Sequence, residues 1–178
     1  KEWLAQEIEN KVKEAITMVG LNYEEVKNKS PFDLSGGQKR RAAIAGVIVT
    51  KPEILILDEP TAGLDPRGKS EIIALIHHLK QSCSPTVIMI SHDMGEIAQN
   101  CNKIAVIQDG KILCVKAPRE LFGDKKLIEG TGLDIPESVK LKNMLKENGY
   151  DFEDMPFSPR QTAESLLKLI KSAGGNYA

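Results

Sequence analysis

Two short apolar runs constrain the fold of this chain more than any other feature. Ile54, Leu55, Ile56 and Leu57 run without interruption into Asp58, and Thr86, Val87, Ile88, Met89 and Ile90 run into Ser91. A strand that is apolar at successive positions is buried on both faces, the pattern of a parallel sheet covered by helices on each side. Parallel neighbours need a crossover, and Lys69 to about Gln81 predicts the helix that makes it. The fold class expected is therefore α/β, with parallel strands and helices.

Other elements follow from spacing. Leu4, Ile8, Val12, Ala15, Ile16 and Val19 fall on one stripe of a helix that Gly20 ends. Ser35 is placed to cap a second helix whose apolar residues are Ala42, Ala43, Ile44, Val47 and Ile48, closed by Pro52. Asp109-Gly110 between two apolar segments predicts a hairpin, 104–107 with 111–115. From Pro118 onward glycines and prolines break the chain into short helices near Glu137–Glu147 and Pro159–Ser172. In the second, Ser158 is the expected cap and Leu166, Leu167, Leu169 and Ile170 the expected buried face. This divides the chain into residues 1–120 and a small, mostly helical domain, 121–178.

Composition narrows the function. With 24 Lys plus Arg against 25 Asp plus Glu among 178 residues, the net charge is −1, which argues against a nucleic-acid partner held by bulk charge. One Trp, three Tyr and four Phe leave the core to aliphatic residues. No apolar run approaches the roughly 20 residues of a spanning helix. Cys83, Cys101 and Cys114 form no C-x-x-C pair and read as reduced, buried thiols rather than a disulfide framework or zinc site.

Three places carry chemistry. Leu34-Ser35-Gly36-Gly37-Gln38 opens a helix, where glycines admit a close ligand and free N–H groups attract phosphate; a simple capped glycine turn is the alternative. Asp58-Glu59 stands at the carboxyl end of an apolar strand, where ligands bind in open α/β sheets. There Asp58 can serve Mg²⁺ and Glu59 can take a proton from an attacking water. His92 follows the next strand at the equivalent end and can hydrogen-bond a phosphate or a water, whereas His77 and His78 on the crossover helix read as structural. Gly63 to Ser70, GLDPRGKS, matches the P-loop pattern letter for letter. Pro66 lacks a needed N–H and Asp65 puts a carboxylate where the anion belongs, so the P-loop reading is rejected.

In chain order, LSGGQ at 34–38, ILILDE at 54–59, AGLD at 62–65 and SHD at 91–93 resemble the signature, Walker B, D-loop and H-loop motifs of an ATP-binding cassette (ABC) ATPase. LSGGQKRRAAIAG, LDEPTAGLDPRGK, APRELF and, more loosely, GLDIPESVKLKNMLKENGYDF are similar to the ATPase subunits of energy-coupling factor transporters, which take up cobalt, nickel or vitamins. The resemblance implies an ABC-type P-loop NTPase core and a head-to-tail dimer, homo- or heteromeric, with ATP and Mg²⁺ between subunits. Ser35, Gly36, Gly37 and Gln38 would contact the terminal phosphate of ATP held by the partner. Asp58 would serve Mg²⁺, Glu59 would be the general base, His92 would contact the terminal phosphate and Asp65 would connect the two sites. The implied partners are a second ATPase subunit, an integral membrane coupling subunit and a substrate-binding membrane subunit, at the cytoplasmic face of the cell membrane.

The family's P-loop, adenine-stacking aromatic residue and glutamine loop precede the signature, and this sequence begins at Lys1 without them. The expectation is that these residues are the carboxyl-terminal part of a longer ATPase, that strand edges and core are left open, and that alone they neither bind nor hydrolyse ATP. Two other functions share features with this one: a soluble ABC ATPase acting on nucleic acid or ribosomes, and a non-catalytic dimerisation fragment.

Overall fold

The computed structural model describes residues 4–83, 86–151 and 154–172. Phe152, the last residue of the tail resemblance, lies outside them. By compactness the chain divides after Ile90 into two units. This boundary falls earlier than the division at 120/121 expected from the motifs, and the two mark different things: one compactness, the other role.

The first unit is built on the crossover the sequence predicts. Strands β1 (Ile54–Asp58) and β2 (Thr86–Ile90) pair in parallel, from Ile54 opposite Thr86 to Asp58 opposite Ile90, and helix α4 (Pro66–Ser82) connects them. The core gathers Leu55 and Leu57 of β1 with Ile72, Leu75, Ile76 and Leu79 of α4. Helices α1 (Ala5–Met18) and α3 (Gly36–Ile48) add Ala15, Ile44, Ala45 and Ile48, and Val19 joins them just past the end of α1, with the short α2 (Tyr23–Val26) and a 3-10 turn at Pro31–Asp33 between the two helices.

Two expectations change here. The strands were expected to be covered on both faces, yet β1 alternates: Leu55 is 0% exposed while Ile56 beside it is 62% exposed. Ile54, Ile88 and Ile90 share the uncovered face, because successive side chains point to opposite sides and α4 covers only one. The stripe of α1 is likewise buried only at its carboxyl end. Leu4, Ile8 and Val12 are exposed, since the contact with α3 is made by the last turns of α1.

The second unit begins with α5 (Met94–Asn100), which carries Ile97 and Ala98 into its core. Strands β3 (Ile104–Gln108) and β4 (Lys111–Lys116) form the expected antiparallel hairpin. Asp109 and Gly110 both have positive φ, 51° and 72°, as a two-residue turn matching strand twist requires. Helices α6 (Pro118–Gly123), α7 (Lys125–Thr131), α8 (Glu137–Glu147) and α9 (Pro159–Ser172) follow. Leu121, Phe122, Val139 and Pro156 are buried, and the Phe122 and Phe157 rings meet edge to face with centroids 6.0 Å apart.

In α9 the expected buried face is corrected. Thr162 and Ser165 are buried and Leu166 is half-buried, whereas Leu167 and Ile170 are exposed. The stripe that packs runs 162, 165, 166 and 169, so the helix is rotated from the all-leucine face towards its small residues. Ser158 is a cap as expected, its Oγ accepting the Gln161 N–H at 3.2 Å. The three cysteines are half-buried free thiols rather than fully buried ones. Among the described residues no helix is long and apolar enough to cross a membrane.

Candidate functional site

The amino end of α3 is held by a reciprocal pair of hydrogen bonds. Ser35 Oγ accepts the Gln38 N–H at 3.2 Å, and the Ser35 N–H donates to Gln38 Oε1 at 3.0 Å. This capping box satisfies the helix end internally, and its sequence mark, Gln three residues after Ser, was available beside the cap itself. It also sorts donors from acceptors. Ser35 Oγ and Gln38 Oε1 are engaged as acceptors, which leaves the Ser35 hydroxyl proton and the Gln38 amide N–H₂ to donate outward. The N–H groups of Gly36 and Gly37 have no partner among the described residues.

Nothing inside this chain requires glycine at those two positions. Neither has a left-handed φ, and a Cβ built on either meets no atom within 4 Å. The space in front of the helix end is open, and four outward donors at a positive dipole end suit an anion that approaches the backbone closely.

The carboxylates stand where the sequence expects them. Asp58 is the last residue of β1, exposed and paired with Ile90. Glu59 leaves the strand at φ 47°, a left-handed conformation uncommon for a side chain with a Cβ. Its N–H continues the ladder to Ile90 O at 2.9 Å, and the Ala62 N–H donates to its carbonyl at 3.2 Å. Arg40 Nη1, from α3, donates to the same carbonyl at 2.7 Å. Arg40 was not singled out by the sequence, since no local pattern ties a helix arginine to a carbonyl 19 positions away. Through it the glycine-pair helix and the carboxylate turn are brought together.

Asp65 opens α4. Its Oδ1 accepts the Gly68 N–H at 3.0 Å, and Pro66 is the first helical residue. A Cβ on Gly68 would come within 2.8 Å of that carboxylate oxygen. The glycine of the P-loop-like GLDPRGKS string thus serves the chain's own cap, and a carboxylate already sits at the helix end. The rejection of a phosphate cradle there has this physical reason. His77 and His78 lie on the exposed face of α4.

His92 is exposed and lies in the second unit, two residues past Ile90 along the chain. Asp93 next to it caps α5, its Oδ1 accepting the Glu96 N–H at 3.0 Å. His92 also edges a cavity of about 620 Å³ within this unit, lined by Met94, Ile135, Leu141, Phe157 and Leu166. Among the described residues no three His, Cys, Asp or Glu side chains cluster as a protein-built metal site requires.

The family described as "ABC transporter" matches residues 2–62. The chain is 42% identical over 171 residues to an energy-coupling factor transporter ATP-binding protein, EcfA2, of Clostridium tetani, covering 96% of this chain and 59% of that protein. It is similar to proteins of the ABC transporter family. An EcfA2 of Clostridium perfringens is 44% identical over 167 residues, again with 59% of its length covered, so the chain spans about 59% of the curated relatives it matches. The solved structure of cbiO1 from Clostridium perfringens, part of the ABC transporter complex cbiONQ, superposes with a TM-score of 0.62 at 37% identity, covering 80% of this chain and 56% of that one. An ATP-binding cassette solved in its ADP conformation, MJ1267, shares the fold at 22% identity and a TM-score of 0.63, over 75% of this chain and 54% of that one.

Proposed function

We propose that this chain is part of the ATP-binding and ATP-hydrolysing subunit of an energy-coupling factor importer, a peripheral protein of the cytoplasmic membrane face that powers uptake of a metal ion or vitamin. The observation that carries this reading is the α3 end, where two glycines are demanded by nothing in the chain and outward donors surround them. The names of the relatives and the four motifs in order support it from the outside.

In the proposed mechanism, Ser35, Gly36, Gly37 and Gln38 donate hydrogen bonds to the terminal phosphate of an ATP molecule bound by a second ATPase subunit. The bonds are worth more as negative charge moves onto that phosphate in the transition state. Glu59 accepts the proton of the water that attacks the nucleotide of its own subunit, and His92 donates to a terminal phosphate. Asp65, at the amino end of α4, lies next to the subunit boundary and relays the state of one site to the other. Asp58 is the only protein carboxylate assigned to Mg²⁺, and a single carboxylate fits an ion that takes its other ligands from water and phosphate rather than a protein cage. When bound, Mg²⁺ neutralises charge on the transferring phosphate. Closure on ATP and reopening after hydrolysis move the membrane coupling subunit.

Steady-state and single-turnover hydrolysis by the ATPase assembly containing this chain tests the reading. Glu59→Gln should abolish turnover while ATP remains bound. Turnover at the wild-type rate in that variant removes Glu59 from the base role.

A further inference from the structure

One peptide carries an unusual density of restraints. Glu59 sits at φ 47°, where a residue with a Cβ is retained only if its surroundings hold it. The restraints come from separate elements: Ile90 O of β2 receives its N–H, while its carbonyl receives the Ala62 N–H from the following turn and Arg40 Nη1 from α3. The Arg40 bond, at 2.7 Å, is the shortest of these and is charge-assisted. Arg40 is half-buried, so its guanidinium competes little with water for this contact. Because φ and ψ set the direction of Cα–Cβ, whatever holds this peptide also aims the carboxylate.

Arg40 lies three and four residues after Gly37 and Gly36, on the same face of α3. We infer that Arg40 is a positioning residue for Glu59, clamping its carbonyl so that the phosphate-facing end of α3 and the carboxylate at the end of β1 move as one body. The inference rests on the reading of Glu59 as the base. In a head-to-tail pair, the α3 end faces nucleotide held by the partner while Glu59 faces nucleotide of its own subunit, so the clamp couples the two sites within one chain.

The test uses Arg40→Ala and Arg40→Lys in the ATPase assembly containing this chain, with amide hydrogen exchange at Glu59 and Ala62 measured alongside. Arg40→Ala should lower kcat about 10- to 100-fold, the scale of a misaimed catalytic group, with KM for ATP within about twofold. Exchange at both amides should quicken, and Arg40→Lys, whose ammonium still reaches a carbonyl, should recover most of the lost rate. The inference is overturned if kcat of Arg40→Ala stays within about twofold of wild type, if its fall only tracks the folded fraction, or if Arg40→Lys is equally impaired. Should Glu59→Gln itself turn over normally, the base reading fails separately. Exchange, which needs no nucleotide, then decides the clamp alone: faster exchange in Arg40→Ala supports it and unchanged exchange overturns it.

Discussion

Replacing Gly37 by alanine separates what the fold needs from what a ligand needs. An added Cβ meets nothing within 4 Å and φ is not left-handed, so the methyl group enters open space. Alanine also has the higher helix propensity, by up to about 1 kcal/mol in a helix interior and less in a first turn. The expected change in stability is therefore between zero and about 1 kcal/mol in the stabilising direction. Ser35→Ala, two residues away, is the contrast, because it removes the acceptor for the Gln38 N–H and half of the capping box. It should destabilise by about 1 kcal/mol. With a urea slope of about 1–3 kcal/mol/M, that is a midpoint lowered by roughly 0.3–1 M, readable by circular dichroism. Turnover by the ATPase assembly containing this chain should respond differently: the Gly37→Ala methyl stands where a phosphate oxygen must approach the backbone, and the loss should be on the order of 100-fold, as for a lost transition-state donor. A Gly37→Ala protein that is clearly destabilised shows that the fold did require the glycine. One that is as stable as wild type and hydrolyses ATP at the wild-type rate refutes the claim that a ligand requires it.

Other consequences are local. Leu55→Ala should cost about 2–5 kcal/mol, whereas Ile56→Ala, on the uncovered face at 62% exposed, should cost less than about 1.5 kcal/mol in this chain; equal losses in urea melts contradict the one-sided sheet. Asp124 bonds the Lys116 ammonium at 2.7 Å and the Leu127 N–H, and these hold its carboxyl below the usual carboxylate range. A lowered folded pKa gives stability that is present above the unfolded value and is lost as pH falls through the folded one. The gap in urea midpoint between wild type and Asp124→Asn should thus shrink from pH 7 to pH 3, and a gap that widens contradicts the assignment. Gly68→Ala should disturb the Asp65 cap, because the new methyl group meets the carboxylate oxygen. Exchange of the first α4 amides should quicken, and protection equal to wild type shows that the cap tolerates a Cβ there.

Much of the architecture was legible because it depends on patterns within a few residues. The apolar runs ending at Asp58 and Ser91, the Asp109-Gly110 turn and the Ser35 and Ser158 caps all appear where local chemistry puts them. What was not legible depends on partners distant in sequence. The strands read as covered on both faces, but which face is covered depends on the layers packed against them, and within the first unit the core gathers on the side of Leu55 and Leu57. In α9 a leucine face looked inward by hydropathy, while packing chose Thr162 and Ser165, whose small side chains allow close approach. Arg40 had no local mark at all, since its role depends on Glu59 standing across the fold. The string GLDPRGKS shows the reverse case, a motif complete in letters whose chemistry is already satisfied by Asp65.

The central claim is that this chain presents the Ser35–Gln38 end of α3 to nucleotide held by a second ATPase subunit, while Glu59 is the base at the nucleotide of its own subunit. The most direct test is the ATP-dependent pairing of the ATPase subunits in the assembly containing this chain, read by sedimentation with and without Mg²⁺–ATP. Association should require ATP and be lost in Gly37→Ala. Association indifferent to both ATP and Gly37 contradicts the claim.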